Sequence, residues 1–122
     1  MKLMLALIMS LTPMLAWAQL GNGSNSMYGG GTVTDKSGSI AQASTSQVVM
    51  AANTKRVYCE IQSVGTADMR IAIDGTASAG GGSYYLPAGS LFKCPPQTPP
   101  TGQISIWSTT VSAPFTATEY AR

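Results

Sequence analysis

The chain has 122 residues, a formal net charge of +2 and no histidine. Without histidine, the Ser-His-Asp and Cys-His catalytic arrangements, the imidazole general base and nearly all zinc and copper sites are excluded. The chain has seven basic and five acidic residues, and Lys55 and Arg56 are the only two basic residues that are adjacent in the sequence. This is too little clustered positive charge for binding to nucleic-acid phosphates, so no nucleic-acid partner is expected.

The first eighteen residues have the three parts of a secretory signal peptide. Lys2 supplies the positive charge, an apolar run follows over residues 3–9, and Ala-Trp-Ala at 16–18 matches a small-x-small cleavage site. The apolar run is shorter than the ~20 residues that a membrane-spanning helix needs. We therefore predict residues 1–18 to be a signal peptide or a hydrophobic N-terminal segment, with no stable membrane span.

Residues 19–31 are rich in glycine, asparagine and serine and end in three consecutive glycines. A segment of this composition buries too little apolar surface to offset the entropy lost on ordering. We predict a flexible tether at 19–31 that leads into a single domain at 32–122. A start at Met27 is an alternative, and it would give a chain that begins just before that domain.

Beyond residue 31 the apolar residues recur with a period of two, in short segments, and no segment has a helical pattern. The clearest alternation runs over residues 56–64, where Val57, Cys59 and Ile61 form the predicted buried face. Residues 69–73 alternate in the same way, and we expect these two segments to be neighbouring strands joined by a turn. Further strands are predicted at residues 47–51, 83–86, 90–94, 103–108 and 115–120, with an eighth around 32–40.

Turn residues separate these segments, including glycines at 80–82, Pro-Ala-Gly at 87–89 and a proline-rich run at 95–100. Short strands at this spacing indicate an all-β fold, and we predict one small antiparallel β-sandwich of seven or eight strands. Jelly-roll and immunoglobulin-like connectivities both remain open.

Cys59 and Cys94 are the two cysteines of the chain. In an exported protein such a pair is expected to form a disulfide, which would close a loop of about 35 residues and stabilise the fold by about 4 kcal/mol. The alternative is two buried reduced thiols. The four prolines that follow Cys94 predict a stiff, extended loop held at its base by this cysteine.

No catalytic, cofactor-binding or metal-binding residues are predicted, and the chain is not expected to be an enzyme. Asp68 and Asp74 occupy turn positions that favour aspartate, and Glu60 falls on the solvent face of its strand. The glycines at 80–82 lack the lysine and the following helix of a phosphate-binding loop.

Aromatic residues are the remaining candidates for a functional surface. Tyr84, Tyr85 and Trp107, together with Tyr58, could stack on sugars or anchor a protein partner if they are exposed on a rigid sheet. Core packing is the alternative for each ring. Tyr84 and Tyr85 are adjacent in a strand, so their rings must point to opposite faces.

Six motifs occur in order along residues 32–120: TDKSGSI at 34–40, SQVVMAAN at 46–53, RVYCEIQ at 56–62, DGTA at 74–77, LPAGS at 86–90 and PTGQI at 100–104. With these motifs the chain resembles the small β-sandwich virion proteins of tailed bacteriophages. The resemblance implies a non-enzymatic capsid decoration protein or a tail-appendage domain. It also implies that the partners are other protein subunits, including copies of the chain itself, and that no cofactor is needed.

The signal-like segment and the cysteine pair are unusual for a particle assembled in a reducing cytoplasm. They favour an alternative, an exported bacterial binding module such as an adhesin or a carbohydrate-binding domain, in which Tyr84, Tyr85 or Trp107 contacts the ligand. In the virion interpretation the hydrophobic N-terminus would instead be a docking segment. The expected location is therefore the periplasm, the extracellular space or a virion.

Overall fold

The computed structural model describes residues 31–122, so the predicted signal segment at 1–18 and the predicted tether up to residue 30 lie outside the described part. Within residues 31–122 all regular structure is β-strand, and no helix there is long and apolar enough to cross a bilayer. The strands are β1 (Thr32–Asp35), β2 (Gly38–Ser39), β3 (Gln47–Met50), β4 (Arg56–Ser63), β5 (Met69–Ile73), β6 (Tyr84–Leu86), β7 (Leu91–Lys93), β8 (Ile104–Trp107) and β9 (Pro114–Ala121).

The strands form two antiparallel sheets that pack as a sandwich. One sheet has the order β1-β9-β4-β7, with β2 also paired to β9, and the other has the order β3-β8-β5-β6. The pairs are nested, since β1 pairs with β9, β3 with β8, β4 with β7 and β5 with β6. This nesting is the connectivity of a jelly roll, whereas an immunoglobulin-like sandwich would pair more strands that are consecutive in the chain.

The prediction that β4 and β5 are neighbouring strands is wrong, because they belong to opposite sheets. The segment between them crosses from one layer to the other. The hydroxyl of Ser63, the last residue of β4, donates a buried hydrogen bond to the carbonyl of Ala67 in this segment at 2.8 Å. Both strands bury one face against the same core, so their alternation does not distinguish a hairpin from a crossing.

The predicted eighth segment is present as two short strands, β1 and β2, which both pair with β9. The break between them lies at Lys36 and Ser37. There the Asp35 carboxylate accepts a hydrogen bond from the Ser37 amide at 2.8 Å, and the Lys36 amide donates to the Ala117 carbonyl at 2.8 Å. The local aspartate turn therefore interrupts a strand that would otherwise run along β9.

The core lies between the sheets and consists mainly of isoleucine, methionine and alanine side chains. Its fully buried members include Ile40, Met50, Cys59, Ile61, Met69, Ile71, Ile104 and Ile106. In β4 the alternation is confirmed for Cys59 and Ile61. Val57 is only half-buried, because a register shift between Arg56 and Tyr58 turns the Arg56 side chain inward instead.

The predicted disulfide is present between Cys59 and Cys94, with Cα atoms 5.1 Å apart. It joins β4 to the residue that follows the edge strand β7, and the Cys94 amide also donates to the Cys59 carbonyl at 2.8 Å. The proline-rich segment at 95–100 contains no strand. It connects β7 in one sheet to β8 in the other, and proline suits this position because it cannot donate to a sheet ladder.

Candidate functional site

A row of three side chains crosses the outer face of the β3-β8-β5-β6 sheet. Arg70 in β5 is paired in register with Tyr85 on β6 and with Trp107 on β8. Its neighbours Met69 and Ile71 are buried in the core. Because successive side chains of a strand alternate between faces, the Tyr85-Arg70-Trp107 row points away from the core.

Contacts within this row hold Arg70 and Tyr85 in place. The Arg70 guanidinium carbon lies 4.8 Å from the centre of the Tyr85 ring, which is a cation-π contact. The Tyr85 hydroxyl donates to Asp68 Oδ2 at 2.6 Å, and the Ala88 amide donates to Asp68 Oδ1 at 3.0 Å. One carboxylate thereby fixes both the tyrosine ring and the loop after β6.

These hydrogen bonds shift the pKa values of Asp68 and Tyr85 in opposite directions. Donation from the Tyr85 hydroxyl, followed by donation from the Ala88 amide, lowers the pKa of Asp68 below its usual 3.8. The same bond to Asp68 raises the pKa of Tyr85 above its usual 10.0. At neutral pH the pair is therefore a carboxylate that accepts from a neutral phenol.

The row borders a concavity of about 250 Å³. It is lined by Asp68, Met69, Arg70, Ala79, Tyr85, Trp107 and Thr109. The aromatic, cationic, anionic and hydroxyl groups that line it all belong to a side of the sheet that is not packed against the core.

The loop after β5 forms one wall of the concavity because it lies across the outer face of the sheet. The hydroxyl of Ser105, a buried residue of β8, donates to the Gly75 carbonyl at 2.8 Å and accepts from the Ala77 amide at 2.9 Å. Ala72, paired with Ser105 in register, is also buried. Because the side chains of Ala72 and Ser105 are small, the loop can lie close to the outer face of the sheet. Ala79, further along the same loop, lines the concavity.

Of the aromatic residues singled out from the sequence, Tyr85 and Trp107 come together at this concavity and Tyr84 does not. Tyr84 pairs in register with the buried Ile71, so it points toward the space between the sheets, opposite to Tyr85, as the alternation predicts. It lies at the edge of the sandwich and stays 57% exposed, with its ring centre 5.6 Å from that of Phe92.

Tyr58 is half-buried in the other sheet, so it lies apart from the row. Its ring packs edge-to-face on Tyr120 with centres 5.5 Å apart, and its hydroxyl donates to Glu60 Oε2 at 3.0 Å. Packing therefore accounts for this ring.

The acidic residues are not gathered at one place. Asp74 has a positive φ of 57°, typical of a turn, while Asp68 bonds the backbone of residue 88 rather than that of its own turn. Within the described part of the chain, no group of three cysteine, aspartate or glutamate side chains could hold a metal ion.

Sequence reasoning missed a buried ion pair between Arg56 and Glu119, which are 2% and 6% exposed. A signal for it exists. Glu119 continues the alternation of Phe115 and Ala117, two residues on the buried face of β9, and a charged residue in that phase requires a buried partner.

Comparison with models of protein families, with curated proteins and with solved structures finds no match to this chain.

Proposed function

We propose that the chain is a non-enzymatic virion structural protein of the phage type, a capsid decoration or appendage subunit that acts through protein-protein contacts. One observation carries the proposal. Two edge strands with exposed apolar side chains lie next to each other on one open side of the sandwich.

The open side is formed by β6 and β7, each the last strand of its sheet. The connection between them spans only residues 87–90, and the Tyr84 and Phe92 rings meet across the gap between the layers. Tyr84 is 57% exposed and Leu91 is 44% exposed. An edge strand offers unpaired backbone groups, and aromatic and aliphatic side chains beside it add apolar contact area, so this side suits another protein subunit.

The fold supports the proposal as an analogy. Jelly rolls are common in viral capsid domains and also in lectin domains, so the architecture agrees with particle assembly and with ligand binding alike. Because one fold serves many functions, the surfaces must distinguish between them.

The test replaces the apolar groups of the open side. A Tyr84→Ser/Leu91→Ser double variant should keep the thermal unfolding temperature of the parent but lose incorporation into purified particles, measured by quantitative mass spectrometry. Val48→Ser is the matched control, since Val48 is 53% exposed on β3, at the opposite edge of the β3-β8-β5-β6 sheet. Equal incorporation of the double variant and the parent would contradict the proposal.

A second candidate function is an exported binding module, and the disulfide between Cys59 and Cys94 favours it. Disulfides persist in the periplasm and outside the cell but are rare in the cytosol. N-terminal sequencing of the native protein separates the two candidates. A chain that begins at Gln19 supports export, whereas an intact Met1 or a start at Met27 supports the virion function.

A further inference from the structure

We infer that the concavity beside the Tyr85-Arg70-Trp107 row binds the pyranose ring of a neutral carbohydrate. The inference deepens the second candidate function, the binding module, and rests on it. It uses Tyr85 on the outer face of β6, and it does not involve the exposed Tyr84 and Leu91 on which the virion proposal rests.

The apolar part of the site is Trp107. It is half-buried at the end of β8, a strand paired on both sides, so its indole is held on a rigid element. Trp107 lines the concavity, and an aromatic ring in such a position can stack on the C–H face of a sugar ring. The concavity of about 250 Å³ is smaller than the roughly 300–1,000 Å³ of sites for drug-sized ligands, so it suits a single ring.

The polar part of the site is a donor beside an acceptor. The Arg70 guanidinium stacks on Tyr85, and residues 31–122 provide no hydrogen-bond partner for it, so its N–H groups can serve a ligand. Asp68 uses one lone pair on each oxygen for Tyr85 and Ala88, and a carboxylate has about four such sites. A sugar hydroxyl can both accept and donate a hydrogen bond. Arg70 can therefore donate to one hydroxyl of the ring while Asp68 accepts from its neighbour.

The charges of the site favour an uncharged ligand. The positive charge of Arg70 and the negative charge of Asp68 lie on the same concavity and offset each other, so neither an anion nor a cation meets a net opposite charge there. Thr109, which carries a hydroxyl, also lines the concavity.

A stabilising row of cross-strand pairs without any ligand is the competing explanation. It predicts that a change at Arg70 lowers stability and alters no binding. The experiment must therefore measure both quantities on the same variants.

The test uses the full chain on an array of neutral, carboxylated and sulfated glycans, followed by NMR titration with the soluble methyl glycoside of the best neutral hit. We expect binding to neutral glycans, with a shift of the Trp107 indole N–H signal. Arg70→Ala and Trp107→Ala should weaken binding at least tenfold. Trp107→Phe should weaken it less, and it keeps a ring at this position if the alanine variant fails to fold.

Lys93→Ala is the matched control, because it removes an exposed cation from β7 in the other sheet, and its affinity should equal that of the parent. The inference is overturned if no neutral glycan binds, if only charged glycans bind, or if folded Arg70→Ala binds as well as the parent. An N-terminus at Gln19 on the same protein, without glycan binding, would overturn this site and leave the exported-module function standing.

Discussion

Arg56 Nε donates a hydrogen bond to Glu119 Oε1 at 2.8 Å, and both side chains are buried. The same guanidinium donates from Nη1 to the carbonyls of Pro100 and Gly102, at 2.6 and 2.7 Å, and from Nη2 to that of Ala51 at 2.7 Å. Arg56 thus ties the ends of β4 and β9 to the proline-rich crossing and to the segment after β3. A buried charge network of this kind is stable only while every member has its partner.

Arg56→Met should strongly destabilise the fold, because it leaves the buried Glu119 carboxylate without its close cationic partner. Breaking a buried ion pair costs about 3–5 kcal/mol in the free energy of unfolding. Urea denaturation measures the change. Lys55→Met, at the exposed neighbouring position, is the control and should change stability by less than about 0.5 kcal/mol. A loss for Arg56→Met no larger than that of the control would show that the network is not structural.

Removing the disulfide should lower stability by about 4 kcal/mol, since Cys59 and Cys94 are 35 residues apart and the bridge restricts the unfolded chain. The Cys59→Ala/Cys94→Ala double variant and the reduced parent should unfold at the same denaturant concentration, well below that of the oxidised parent. Identical unfolding curves for the oxidised and reduced parent would contradict the assigned role.

Asp68 and Tyr85 should titrate as a linked pair. The folded pKa of Asp68 lies below 3.8, so its contribution to stability is complete above that pH and is lost as the pH falls through the folded value. The folded pKa of Tyr85 lies above 10.0, so its contribution is complete below pH 10.0 and is lost as the pH rises through the raised value.

Asp68→Asn should therefore lower the titration midpoint of Tyr85 toward 10.0, as measured by NMR chemical shifts of the ring. Asp35→Asn is the control, because the Asp35 carboxylate bonds Ser37 instead, and it should leave the midpoint of Tyr85 unchanged. An unchanged midpoint in the Asp68 variant would mean that the hydrogen bond is absent in solution.

Ser105→Ala should loosen the loop that forms the wall of the concavity. It removes a hydroxyl that bonds both Gly75 and Ala77, so stability should fall by about 1–3 kcal/mol and the Ala77 amide should exchange faster with solvent. Hydrogen exchange followed by NMR tests this, with Thr76→Ala at an exposed loop position as the control. Unchanged protection of the Ala77 amide would contradict its anchoring by Ser105, whose hydroxyl accepts from it at 2.9 Å, compared with 3.2 Å for the hydroxyl of Ser46.

Much of the fold follows from local pattern. The period of two predicts the strands around Ile61, Ile71 and Ile106, and the cysteine pair predicts the bridge. The pairing of strands is not local, however. The jelly-roll nesting joins β1 to β9 and β4 to β7 across most of the chain, so alternation alone could not exclude a hairpin between β4 and β5.

The site was only partly predictable, for a related reason. Tyr85 and Trp107 stand out as aromatic residues in predicted strands, but Arg70 joins them only through the register of three strands. Arg56 is buried because of a register shift near the start of β4. The residue types at this position do not predict such a shift.

We propose that the chain is a structural subunit held in a virion by contacts of its sandwich. Quantitative mass spectrometry of gradient-purified virions from the cells that express the chain tests it most directly. We expect residues 32–122 to be recovered in a fixed ratio to the major capsid protein and in many copies per particle. Absence of the chain from intact virions, with all of it recovered as free protein, would rule out the virion function.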